Sequence, residues 1–235
     1  KLSSSGTIEW QKSLGGTNND YAYAFQSTPD GGYIVAGNTD SNDGDVSGNH
    51  GGQDIWVLKL SSSGAIEWQK ALGGTENEDA RSIQPTADGG YIVAGYTYSL
   101  NGDVSGNHGA QDVWVVKLSS SGAIEWQKAL GGTNNEDARS IQPTADGGYI
   151  VSGQTKSNDG DVSGKHGGGD VWIVKLSSIG AVQWQKALGG TNNEESRSIH
   201  PTTDGGYIVA GQTSSNDGNV IGNHGDIDGW VIKLK

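Results

Sequence analysis

The chain has 235 residues, and 27 acidic side chains against 15 basic ones give it a net charge of −12 at pH 7. Such a charge repels phosphate backbones and anionic lipids, so the composition disfavours nucleic acids and membrane surfaces as partners. The absence of cysteine excludes disulfides, thiolate metal sites and a cysteine nucleophile. No apolar run approaches the roughly 18 residues of a membrane-spanning helix, so membrane insertion is not expected.

Two sets of tryptophans recur at intervals of 58 positions. The sets are Trp10, Trp68, Trp126, Trp184 and Trp56, Trp114, Trp172, Trp230. A fixed period of this size indicates a repeat architecture. A single unit is too small to bury a hydrophobic face alone, so residues 1–235 are predicted to form one domain of four units.

The second unit shows the predicted elements in chain order. Four strands are expected, at residues 79–87, 91–95, 112–118 and 123–130. An Asp-Gly-Gly turn joins the first two, a long polar loop at 97–111 joins the next two, and a Ser/Gly turn joins the last two. No apolar period of 3.6 residues is long enough to indicate a helix.

Four antiparallel strands in each of four repeats predict an all-β protein, a β-propeller with one blade per repeat. The blades are expected at about 21–72, 79–130, 137–188 and 195–234, with a strand at 6–14 left over. We predict that this N-terminal strand completes the last blade and closes the ring, which removes an exposed sheet edge. The alternative is a pair of chains that forms one eight-bladed ring, and a monomer is favoured over that dimer.

The repeat resembles a known bacterial family in one long stretch. Val115-Val-Lys-Leu-Ser-Ser-Ser-Gly-Ala-Ile-Glu-Trp-Gln-Lys-Ala-Leu-Gly-Gly132, followed by Thr-Asn-Asn-Glu-Asp and Asp-Gly-Gly-Tyr-Ile-Val-Ser-Gly, is similar to SBBP-type β-propeller repeats. These occur in large secreted or cell-surface proteins of environmental and gliding bacteria. The resemblance covers all four units and implies export, but it brings no catalytic residues with it.

The long loops carry recurrent acidic residues that suggest a cation site. Calcium binds several carboxylate and carbonyl oxygens, and it is the one cofactor that the sequence suggests. The candidate ligands are Asp43, Asp45, Asp103, Asp159, Asp161 and Asp217. The same residue types also order loops by accepting hydrogen bonds from the backbone, and this structural interpretation is favoured.

Other loop residues are candidates for ligand binding. His50, His108, His166 and His224 recur once per unit, where a ring would bring them to equivalent positions around an axis. Tyr96 and Tyr98 occur only in the second unit, where an aromatic pair on a polar surface could contact a sugar or a protein. The alternatives are a histidine that bonds a neighbouring group and a neutral sequence change at the tyrosines.

The sequence favours a non-catalytic function. It contains no Gly-x-Ser-x-Gly elbow and no phosphate-binding loop, and no pair of facing carboxylates can be identified. We therefore expect an exported module that recognises a protein or a glycan through its loop-rich face, or that acts as a spacer in a surface protein. A lectin-like propeller with a site on each blade is the first alternative, and an enzyme acting on polysaccharide is the second.

Overall fold

The computed structural model describes all residues, 1–235, as strands, turns and loops, and it has no helix that could cross a membrane. Fifteen strands follow one another with the predicted repeat. They are β1 (Asp20–Ser27), β2 (Tyr33–Thr39), β3 (Asp54–Leu60), β4 (Ile66–Leu72), β5 (Glu78–Pro85), β6 (Tyr91–Thr97), β7 (Asp112–Leu118), β8 (Ile124–Leu130), β9 (Glu136–Pro143), β10 (Tyr149–Thr155), β11 (Asp170–Leu176), β12 (Val182–Leu188), β13 (Glu194–Pro201), β14 (Tyr207–Thr213) and β15 (Asp228–Leu234).

The strands form four antiparallel sheets in chain order, which we call blades 1 to 4. Blades 1 to 3 contain four strands each, whereas blade 4 contains only β13, β14 and β15. A long loop joins the second strand of each blade to the third. The all-β repeat of four-stranded sheets is therefore confirmed, and the last sheet is one strand short.

The first strand of every blade carries a bulge. In blade 2 the pairing of β5 with β6 passes from Ala80 to Ser82, which leaves Arg81 without a partner residue. A glycine faces the bulge because a Cβ atom on Gly95 would lie 1.7 Å from the carbonyl oxygen of Asp79. The residues equivalent to Arg81 are Tyr23, Arg139 and Arg197, which occupy the same irregular position.

Neighbouring blades pack face to face, and their seams form the core. At the first seam Ile55 and Val57 of blade 1 belong to the same buried cluster as Trp114 and Val116 of blade 2. Every residue of β7 is buried, as the uninterrupted apolar run predicts for a strand between two other blades. Burying one such side chain stabilises the fold by about 1.5–3 kcal/mol.

The fourth-strand tryptophans tie each blade to the next. The Trp68 ring lies 5.8 Å from that of Tyr91 in blade 2, and its indole nitrogen donates to the carbonyl oxygen of Ser120 at 3.2 Å. Trp126 and Tyr149 repeat the contact. These tryptophans therefore pack between neighbouring blades.

The N-terminal segment, residues 1–14, adopts the position of a fourth strand that precedes blade 1. Trp10 lies 5.8 Å from Tyr33, and its indole nitrogen donates to Ser62 at 3.1 Å. No residue of this segment pairs with β15, and its only bridge joins Leu2 to Ile8. The prediction that residues 6–14 complete the last blade and close the ring is not confirmed.

Candidate binding site between neighbouring blades

The recurrent loop carboxylates hold the connections between blades. In blade 3 the backbone N–H groups of Thr133 and Gly131 donate to Asp159 and Asp161, at 2.9 and 3.2 Å. The hydrogen bonds from the amide and hydroxyl of Thr133 hold the pKa of Asp159 below its usual range. The loop carboxylates thus satisfy amides that would otherwise lack partners.

All six calcium candidates take part in this arrangement. Asp43 and Asp45 accept from Thr17 and Gly15, Asp103 accepts from Gly73, and Asp217 accepts from Thr191. No group of three or more His, Asp or Glu side chains is arranged to hold a metal ion. The contacts are those of the backbone-ordering role proposed for these residues.

Each loop histidine is held by the aspartate four positions later. His50 Nδ1 lies 2.7 Å from Asp54 Oδ2, which also accepts the backbone N–H of His50 at 3.1 Å. The pairs His108–Asp112, His166–Asp170 and His224–Asp228 have the same arrangement. These aspartates, each the first residue of a third strand, close the end of the long loop.

The carboxylates of three of these pairs, Asp54, Asp112 and Asp170, are buried, whereas that of Asp228 is partly exposed. Asp54 is fully buried, and its Oδ1 atom has no hydrogen-bond partner. Burial raises the pKa of Asp54 to about 6, even though its bonds with His50 favour the charged form. The bond to Asp112 raises the pKa of His108 above its ordinary value against the effect of burial. Burial likewise raises the pKa of Asp112, whereas at the exposed end of the array the bonds from His224 lower the pKa of Asp228.

A groove opens between blades 1 and 2, beside the first of these pairs. It has a volume of about 470 Å³, and its lining includes His50, Lys70, Asp103 and Ala123. His50 Nε2 points towards Asp103 Oδ2 of the next blade at 3.9 Å. The groove therefore offers an imidazole, an ammonium group and a carboxylate in one open space.

The same groove recurs between blades 2 and 3. Its volume is about 350 Å³, and its lining includes His108, Lys128, Asp161 and Ala181. Each of these residues stands 58 positions after its counterpart in the first groove. Blade 4 has Asn219 where the earlier blades have Asp103 and Asp161, so the carboxylate is lost at the third seam.

The predicted tyrosine pair lies elsewhere, beside the bulged first strands. Tyr96 donates to Asp79 at 3.1 Å, and Tyr98 donates to Gln111 at 2.7 Å. Burial, followed by the charge of Asp79, raises the pKa of Tyr96 to about 12. The guanidinium of Arg81 lies between the rings of Tyr23 and Tyr96. The tyrosine hydroxyls are therefore engaged within the fold, while part of the Tyr98 ring remains exposed.

The arginines of the first strands form ion pairs within a blade and between blades. Arg81 forms an ion pair with Asp79 at 2.7 Å. Glu78 is instead held by the hydroxyl of Thr97 and by the backbone of Gly74 and Ser99. Arg139 also reaches Glu195 of blade 4 at 2.9 Å, which links neighbouring blades by charge. The sequence did not indicate this link between blades.

The geometry defines a β-propeller-like array of four-stranded sheets with repeated polar grooves. No protein-family model matches the chain. The regulatory protein FlaEY of Caulobacter vibrioides is 28% identical over 184 residues, which are 74% of this chain and 18% of that protein. The chain thus spans less than a fifth of the length of this relative.

Two solved structures are similar to this chain at low sequence identity. A protein of unknown function from Bacteroides caccae matches with a TM-score of 0.53 and 13% identity, over 88% of this chain and 58% of that one. Xylan β-1,4-xylosidase from Bacillus halodurans has a TM-score of 0.46 and 12% identity, over 94% of this chain and 43% of that one. At this identity the first match shows the fold alone, and neither match carries an activity to this chain.

Proposed function

We propose that the chain is a non-catalytic recognition module that binds its ligand in the grooves between neighbouring blades. The observation that carries the proposal is the recurrence of one groove, with equivalent histidine, lysine and aspartate residues, at two successive seams. A single active site would not need to recur, whereas a repeated site suits the binding of a repetitive or multivalent ligand.

The lining of the grooves favours a hydroxyl-rich ligand, so a lectin-like function is the specific form of this proposal. Lys70 donates, Asp103 accepts, and the imidazole of His50 does either according to its protonation state. The outward nitrogen of His50 and the exposed lysine are available on the groove wall. Sugars present many hydroxyl groups that both donate and accept, which suits such a mixed set.

The absence of catalysis is part of the proposal, and the bonding of the His–Asp pairs supports it. Asp54 is committed to two bonds from His50, one from the backbone and one from the ring. The same pair occurs in all four units, including His224 at the exposed end of the array. A contact that recurs in every unit is better explained as one that closes a loop than as a single catalytic base.

Export to a secreted or cell-surface setting is proposed from the resemblance to SBBP-type repeats. We further propose that the array closes into a ring when residues 8–14 pair with β15. Closure would cover the open edge of blade 4, which otherwise presents unpaired backbone groups to other chains.

A glycan array probed with labelled protein tests the binding function. The double variant Ala123→Trp/Ala181→Trp fills both grooves from exposed positions without touching the His–Asp pairs. We expect it to lose at least about tenfold in affinity for any glycan that the unmodified protein binds, a factor equal to about 1.4 kcal/mol. Ala87→Trp, on an exposed turn outside the grooves, is the matched control and should bind normally.

Two results would count against this function. If the unmodified protein binds no glycan on the array, the lectin-like form fails. If the double variant binds as tightly as Ala87→Trp, the grooves are not the site.

A further inference from the structure

We propose that Asn101 is a site of self-modification, at which the backbone nitrogen of Gly102 displaces the side-chain amide group and an acidic residue results, with Thr75 assisting the reaction. This inference depends neither on the proposed ligand nor on ring closure. It rests on the residue that follows Asn101, on the exposure of the pair, and on the bonds that Thr75 makes to the side-chain amide.

Asn101 is the one asparagine of the chain that precedes a glycine. The backbone nitrogen of the next residue attacks an asparagine Cγ atom most readily when that residue is glycine, because no Cβ atom hinders the approach. Both Asn101 and Gly102 are exposed to solvent. The nitrogen of Gly102 donates to no backbone carbonyl oxygen, so no such bond has to break before it reacts.

The geometry of the long loop requires this glycine. Gly102 has a φ of 69°, and an added Cβ atom would lie 2.3 Å from the carbonyl oxygen of Gly73. Glycine also stands at the equivalent positions 44, 160 and 218, but there it follows an aspartate. Only blade 2 therefore combines the required glycine with an amide side chain that can be lost.

Thr75 contacts both polar atoms of the Asn101 side chain. Oδ1 accepts the backbone N–H of Thr75 at 2.9 Å and its hydroxyl at 3.3 Å, and Nδ2 donates to the same hydroxyl at 3.1 Å. Negative charge develops on Oδ1 when a nucleophile attacks Cγ, and two donors already aimed at that oxygen stabilise it. The hydroxyl also lies where it can pass a proton to the departing Nδ2 atom.

The reaction has two steps. In the first, the nitrogen of Gly102 forms a bond to Cγ of Asn101, the Cγ–Nδ2 bond breaks, and the proton of the attacking nitrogen leaves with Nδ2 as ammonia. The product is a cyclic imide. In the second, water opens the ring: attack at Cγ gives aspartate, and attack at the main-chain carbonyl carbon gives isoaspartate. Water is the only co-reactant, and nothing is oxidised or reduced.

The fold accommodates an aspartate at position 101. Blades 1, 3 and 4 carry aspartate there, and Asp159 accepts the amide and the hydroxyl of Thr133 at 2.9 and 2.8 Å. Isoaspartate instead adds an atom to the main chain. It therefore disturbs the turn in which the N–H of Val104 donates to the carbonyl oxygen of Asn101 at 3.2 Å. The two products should differ in stability.

The modification changes the charge beside the first groove. Asn101 lies two positions before Asp103, which lines that groove, just as Asp159 lies two positions before Asp161 in the second groove. Conversion adds a carboxylate that the second groove already has beside it. The two grooves then become alike in the charge of their surroundings.

Peptide mapping by mass spectrometry tests the modification. The full chain is incubated folded at mildly alkaline pH and sampled over days, and the change in mass from loss of the amide nitrogen is followed at every asparagine. We expect Asn101 to convert at least about tenfold faster than Asn158, an exposed asparagine in the same loop of blade 3. Conversion of Asn101 no faster than that of Asn158 would overturn the proposal.

The variant Thr75→Val tests the assistance, because it keeps the backbone amide and the side-chain shape but removes the hydroxyl. We expect the folded variant to convert at Asn101 at least about tenfold more slowly than the unmodified protein. Thr133→Val makes the same change beside Asp159 and is the matched control, with an unchanged rate at Asn101. Equal rates in the two variants would overturn the role of Thr75.

Incubation in urea separates the chemistry of the loop from that of the local sequence. Unfolded protein lacks the contacts of Thr75, so the unmodified chain and Thr75→Val should convert at one common rate, slower than that of the folded unmodified chain. A faster rate in urea would show that the fold protects Asn101 and would overturn the assistance. Asn101→Asp, the expected aspartate product, should unfold at the same temperature as the unmodified protein. A clear decrease would contradict the fit of aspartate at this position.

Discussion

Gly122 of blade 2 lies against the indole ring of Trp68 in blade 1. An added Cβ atom at Gly122 would lie 2.9 Å from the ring, and its φ of 80° already favours glycine. Gly89 has a φ of 83° with no atom within 4 Å of the same added carbon. We therefore predict that Gly122→Ala destabilises the protein by at least about 1 kcal/mol more than Gly89→Ala, because overpacking adds to backbone strain.

Urea unfolding of the two variants measures this difference. Both glycines lie in tight turns at the end of the array that carries the short loops, so the strain in the backbone is matched. Equal losses of stability would show that the turn next to Trp68 moves aside and that the contact is not tight.

Much of the fold could be predicted from the sequence because the seams repeat. The 58-residue spacing of Trp68 and Trp126 indicates one packed unit per repeat, and the apolar run of β7 indicates burial on both faces. The position of residues 6–14 could not be predicted in the same way. Repeat equivalence identifies them as a fourth strand. Strand pairing is non-local, however, and the sequence does not say which sheet they join.

The candidate site was only partly predictable. The recurrence of His50 and Asp103 marked both residues, and the structure brings them to 3.9 Å across a seam. The groove itself was missed, since Lys70 and Ala123 gain their place in it only when two blades pack. Tyr96 was singled out as unusual, yet its hydroxyl is used by Asp79 within the fold.

The second prediction concerns the two acidic residues that contact a buried lysine. Lys117 is 2% exposed at its side chain and contacts Asp88 and Glu125, each at 2.9 Å. In blade 3 the residue equivalent to Glu125 is Gln183, which accepts from Lys175 at 3.1 Å. Glu125→Gln copies that arrangement, so we predict a loss of less than about 1 kcal/mol.

Asp88→Asn should lower stability more than Glu125→Gln does. The pKa of Asp88 is lowered to about 2 by bonds from the hydroxyl of Thr86, the ammonium of Lys117 and the amide of Gly90. Its contribution is therefore present above the unfolded-state pKa near 3.8 and is lost as the pH falls towards about 2. Urea unfolding at pH 7 compares the variants, and a larger loss for Glu125→Gln would contradict this ranking.

Stability should fall as the pH rises from about 4 to about 6. Burial raises the pKa of Asp54 from 3.8 to about 6, so the folded chain retains a proton in this window that the unfolded chain has released. The raised pKa values of Asp112 and His108 act in the same direction, with the effect of His108 extending above pH 6.5. We expect the melting temperature to decline by several degrees across this interval.

The side-chain carboxyl chemical shift of Asp54, followed by NMR, checks the cause directly. Below pH 4 stability should instead fall as the pH decreases. Lys59 and Lys175 hold the pKa values of Asp30 and Asp146 below their usual range, so the stability from these ion pairs is lost when the carboxylates are protonated. The maximum of stability is therefore expected at about pH 4. A melting temperature that rises steadily from pH 4 to pH 6 would contradict the assignment.

Calcium should leave the melting temperature unchanged, because the loop carboxylates already have partners. The amide and hydroxyl of Thr133 donate to Asp159, at 2.9 and 2.8 Å. We predict that Asp159→Ala lowers the melting temperature by a few degrees without any metal present, since the Thr133 amide loses its acceptor. Asp226→Ala removes an exposed loop carboxylate that has no such bond and is the matched control.

Thermal unfolding with and without calcium on the order of 5 mM, above the dissociation constants of weak extracellular sites, provides the comparison. A rise with calcium that disappears in Asp159→Ala would make the loop a metal site. Equal melting temperatures with and without calcium, together with a loss confined to Asp159→Ala, would establish that the carboxylate stabilises the loop by holding backbone amides.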